Sequence, residues 1–88
     1  MNSIDFFSKE YNEKSWIEYA SICNDNRCIV DGIPQDIVNV VLDVLGNEMG
    51  YDWLQRPISA FEGKTVKELI QTSNGEKALK AFIMRLPV

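Results

Sequence analysis

The chain has 88 residues, 45% of them hydrophobic, and a formal net charge of −4. That length supports one domain with one modest core, since chains this small bury a lower fraction of their surface than larger ones. No window approaches the roughly 20 apolar residues that span a bilayer, and the start "MNSIDFFSKEYNEK" lacks the basic opening and apolar run of a signal peptide, so a soluble cytoplasmic protein is expected.

There is no histidine, which excludes Ser-His-Asp and Cys-His nucleophile systems. Cys23 and Cys28 flank "NDNR". Without secretion signals a reduced pair is the first reading and a disulfide or redox pair the alternative. A zinc site on two thiols would need carboxylates to complete it, an uncommon set, so no metal is expected, and nothing calls for a cofactor. Charge is uneven: residues 1–50 carry nine acids against three bases (−6), and residues 51–88 four acids against six bases (+2). The sign change hints at a polar partner for the second half, while the acidic whole lacks the basic footprint of a nucleic-acid binder.

In chain order, Ser3 is placed to cap a short helix through "IDFFSKEY". Trp16, Tyr19, Ala20 and Cys23 fall at i, i+3, i+4 and i+7, which predicts a second helix near 13–23. "NDN" breaks that pattern, and a short β-hairpin within residues 17–31 is an open alternative. Pro34 suits a first helical position, "QDIVNVVLDVL" has no breaker, and Gly46 sits where a left-handed C-cap is expected, so a helix is predicted over 34–45. Ile37, Val38, Val41, Leu42 and Leu45 make one arc, which Val40 and Val44 widen to roughly 200° while Asp36, Asn39 and Asp43 complete the wheel. Such an arc wants two neighbours. Either this is the central helix of a bundle, or Val40 and Val44 contact a second subunit in a homodimer.

Asn47 is placed to cap a short helix bearing Trp53 and Leu54, which Pro57 must stop near Arg56. "ISAFEGK" reads as a connector anchored by Ile58 and Phe61, with Gly63 at a positive φ. Thr65 and Glu68 form a capping box that opens a helix "VKELIQT" with Val66, Leu69 and Ile70 inward. Asn74, followed by Gly75, is placed to cap the next helix at once, giving a helical hairpin. In the last helix Ala78, Leu79, Phe82, Ile83 and Leu86 share a face, and Pro87 closes it. The fold class expected is all-α: a single domain of about five short helices ending in a helical hairpin, with residues 1–33 as an N-terminal helical segment.

The opposite face of the last helix holds Lys77, Lys80, Ala81, Met84 and Arg85. A small residue and a flexible apolar one framed by cations predict a contact stripe, extended by the tail Leu86, Pro87 and Val88, which a groove on another protein can capture.

The ordered set Trp53-Leu54, Pro57, Phe61, Gly63, Thr65 through Leu69, Thr72 through Gly75 and Ala78-Leu79 resembles the toxin-binding domain of the Xre/MbcA/ParS antitoxin family. The resemblance spans residues 45–83, within an antitoxin-like region at 34–88. It implies an all-helical bacterial antitoxin that neutralises a RES-domain toxin, an enzyme of the kind that consumes NAD, by covering its active site. The toxin would be encoded next to it, and the contact residues would be Lys77, Lys80, Ala81, Met84, Arg85, Leu86 and Val88. The alternative is a small nucleic-acid-binding regulator using Lys64, Lys67, Lys77 and Lys80. An enzyme is not expected: its candidate carboxylates are Glu62 and Glu68, Glu68 already has a capping role, and no partner base is evident.

Overall fold

The computed structural model describes residues 3–23 and 29–85. Within them the chain forms six α-helices and a single 3-10 turn: α1 Ser3–Glu10, α2 Glu13–Ile22, α3 Gln35–Leu45, α4 Asn47–Trp53, the turn Ser59–Phe61, α5 Val66–Leu69 and α6 Ser73–Ile83. The all-α expectation holds. No strand occurs among the described residues, and α2 occupies one arm of the alternative hairpin, whose turn at 24–28 lies outside them.

The two N-terminal helices meet at Tyr11 and Asn12. Ser3 is already helical rather than a cap, whereas Asn12, unmarked by the sequence reading, caps α2: its Oδ1 accepts from the Ser15 backbone N–H at 3.0 Å. The predicted inward face of α2 is inward, with Trp16 and Cys23 buried and Tyr19 and Ala20 packed against the core.

Helix α3 is the central element. Ile37, Val38, Val40 and Val41 have no exposed surface, because α4, α2 and α6 all pack on this helix. Val40 is therefore covered by neighbours from its own chain, which corrects its assignment to a subunit contact, and Val44 is half-buried against the same core. Pro34 stands one place earlier than expected, as the N-cap. Asn39, expected on the polar arc, is also buried, where its side-chain oxygen accepts from Gln35 Nε2 at 2.8 Å.

Gly46 closes α3 and serves as the N-cap of α4, so Asn47 is the first helical residue and makes no cap. The connector then folds over itself: Ile58 N–H donates to Lys64 C=O at 2.9 Å, Gly63 N–H donates to Ile58 C=O at 3.0 Å, and Ile58 and Phe61 are buried as anchors. Gly63 has the expected positive φ of 83°, and Glu62 before it is also left-handed at 58°, a strained position for a residue with a Cβ.

The capping box is formed: Glu68 N–H donates to Thr65 Oγ1 at 3.3 Å and Thr65 N–H to Glu68 Oε1 at 3.0 Å. Helix α5 is shorter than predicted, because Thr72, not Asn74, caps α6. To do so Thr72 adopts extended backbone and its Oγ1 accepts from Gly75 N–H at 3.0 Å, which ends the helix before it. Gly75 is buried where a Cβ would stand 2.1 Å from the Leu69 carbonyl oxygen, so only glycine lets α5 and α6 meet this closely.

Candidate functional site

The predicted contact stripe on α6 divides into parts with different fates. Lys77 and Met84 are exposed, Met84 at 38%. Ala81 is 6% exposed, which corrects its assignment to an open surface. It lines a cleft of about 240 Å³ with Glu10, Tyr11, Asn12 and Ser15 from the N-terminal helices and Met84 and Arg85 from its own end. Leu86, Pro87 and Val88 lie outside the described residues.

Lys80 is turned into the molecule. Its side chain is 14% exposed and its Nζ lies 3.8 Å from Asp36 Oδ2, the same oxygen that accepts the Trp16 indole Nε1–H at 2.9 Å. The ammonium also stands 5.4 Å from the Trp16 ring centroid and 5.9 Å from that of Tyr11. A cation desolvated over two rings and held by a carboxylate ties α6 to α2 and α3. It is not presented to a phosphate, which removes one of the four lysines from the nucleic-acid alternative. Lys64, Lys67 and Lys77 are exposed.

Arg85 is half-exposed and engaged with α1: its guanidinium pairs with the Glu10 carboxylate and sits 5.7 Å from the Phe7 ring centroid. Phe7 meets Phe61 at 5.6 Å and Phe82 at 5.3 Å, and those two meet each other at 5.3 Å, all edge-on. Trp53 lies near-parallel to Phe82 at 6.4 Å. The outer flank of α6 is thus roofed by α1. No sequence signal announces this roof, because an 8-residue amphipathic helix carries no label for the face it will cover.

Burial pushes the Tyr11 hydroxyl above the usual tyrosine range, with smaller contributions from the charges of Glu13, Glu76 and Asp36. Tyr19 is raised by burial first, then by Cys23 and Asp43. Of the two cysteines, Cys23 is buried, and Cys28 lies outside the described residues. Glu62 and Glu68 are exposed. No group of three or more metal-ligating side chains occurs among the described residues, and none of their helices is long and apolar enough to cross a membrane.

A larger depression of about 370 Å³ lies between Val30 and Asp31, Tyr51, Leu54 and Gln55 of the α4 region, and Thr65 and Lys67. Its walls come from three separated segments, so no local motif announces it. The Lys67 stem runs beside Gly32, 3.4 Å from where a Cβ would be, and the Thr65 side chain is committed to the capping box.

Compared with family models, with curated proteins and with solved structures, the chain finds no match.

Proposed function

We propose that the chain is a protein-binding module of the antitoxin-like kind, which neutralises a RES-type toxin enzyme by steric contact through the C-terminal part of α6. One observation supports this reading most: the motifs that carry the resemblance converge on that helix. Trp53 and Phe61 pack on Phe82, the Thr65–Glu68 box opens the helix before it, and Gly75 seats its first turn against Leu69. Local signals spent on fixing one helix are what a contact mechanism needs, because steric inhibition requires a rigid face and no reacting group.

Co-expression with the neighbouring reading frame tests the reading: growth rescue and co-purification are expected, and a frame that is not toxic, or does not co-purify, overturns it. Met84→Asp is the matching surface variant. Met84 is exposed, so the melting temperature is expected to change little. A charge at the centre of a partner contact is expected to weaken capture by about tenfold or more, read by pull-down or titration calorimetry.

A further inference from the structure

The depression beside α4 combines an apolar floor with two opposite charges that the fold leaves unused. Val30 and Leu54 are buried at its base, and Tyr51, Leu54 and Gln55, spaced i, i+3 and i+4, turn one face of the α4 region toward it. Asp31 and Lys67 line it as well, both exposed. Gly32, at a φ of 81°, follows Asp31 directly, and the Lys67 stem lies along it, with Cε 3.4 Å and Nζ 3.9 Å from where a Cβ would stand. The ammonium and the carboxylate are thus both gathered at the 31–32 turn, while the Tyr51 ring belongs to a separate wall. Among the described residues neither charged side chain has a hydrogen-bond or ion-pair partner, and the two do not pair with each other. Gln55 gives its amide N–H to the Tyr51 carbonyl at 3.3 Å, which leaves its side-chain oxygen as a further acceptor.

This set of groups selects a ligand class by charge. A monoanion would pair with Lys67 and set its apolar body against an unpaired Asp31 carboxylate, and a monocation would do the same to the Lys67 ammonium. Either way a charge loses hydration with nothing in return. A ligand that carries both charges close together satisfies both walls. The volume of about 370 Å³ equals about a dozen waters at about 30 Å³ each, and stands at the small end of ligand sites. We propose that this depression binds a free α-amino acid with an apolar side chain: its ammonium pairs with Asp31, its carboxylate with Lys67, and its side chain lies on Val30 and Leu54 against the Tyr51 ring. None of the walls belongs to α6, so occupancy of this site is independent of the antitoxin-like contact.

The test titrates the full, isotope-labelled chain with L-phenylalanine and follows backbone amide shifts by NMR. Saturable shifts at residues 30–32, 51–55 and 67 are expected, with a dissociation constant of about 1 mM or tighter, as suits a ligand of this size. Phenethylamine, which lacks the carboxylate, 3-phenylpropionate, which lacks the ammonium, and glycine, which lacks the apolar body, are each expected to bind about tenfold weaker or worse. Lys67→Met is expected to erase the advantage of phenylalanine over phenethylamine, and Asp31→Asn its advantage over phenylpropionate. Both residues are exposed, so the melting temperature is expected to change little, and if a variant fails to fold the analogue series on the unaltered chain decides. The proposal is overturned by the absence of saturable shifts up to about twenty times the expected constant. A singly charged analogue that binds as well as phenylalanine overturns it too, as do shifts that map outside these three segments.

Discussion

At Gly75 one hydrogen atom decides whether two helices meet. Gly75→Ala would drive a methyl group into the Leu69 carbonyl, where rigid backbone rather than a flexible side chain must yield. The expected cost is about 2–3 kcal/mol, measured by urea denaturation. Tyr11 makes the second argument at this scale. Its hydroxyl ionises at a higher pH in the folded chain than in the unfolded one, so between those values the unfolded state has lost a proton that the folded state keeps. Stability is fully present below the unfolded tyrosine value of about 10 and falls as pH rises through the folded value. Denaturation series from pH 8 to 11 are expected to show that fall, and Tyr11→Phe to flatten it. Lys80 shows what a single position conceals. Its place on the helix wheel says outward, yet Asp36, 44 positions earlier in the chain, draws it in.

The elements differ in how far their ends were written locally. Thr65 and Glu68 mark the start of α5 because both partners of the box lie within four residues, and the structure forms it. Thr65→Ala is expected to cost about 1 kcal/mol in thermal or urea melts, with Thr65→Ser keeping most of the stability. The far end of α5 was not legible, because it depends on which of Thr72 and Asn74 caps the following helix. Both are good caps, and the choice fell to Thr72, the one that lets Gly75 close on Leu69. Asn47 lost its cap role in a related way: Gly46 took both the end of α3 and the start of α4. Helix α1 was predicted as an element but not as a roof for α6, since amphipathicity states that a face will be buried and never against what.

Across the whole molecule, α3 is the helix on which α2, α4 and α6 all pack. With Val40 at zero exposure under neighbours from the same chain, Val40→Ala is expected to cost about 2–3 kcal/mol. Its denaturation midpoint should not depend on protein concentration, whereas a residue at a dimer contact would make it so. The sequence by itself determined the helical class, the inward faces of α2, α3 and α6, the capping box and the left-handed Gly63, because each is set by periodicity or by partners within a few residues. The tertiary structure alone decided which apolar face meets which, and so why Ala81 is covered, Lys80 turned inward and Arg85 paired with Glu10. Those contacts join positions 44 to 75 residues apart, and burial, which has no direction along the chain, selects among the helix pairings that local patterns leave equally open.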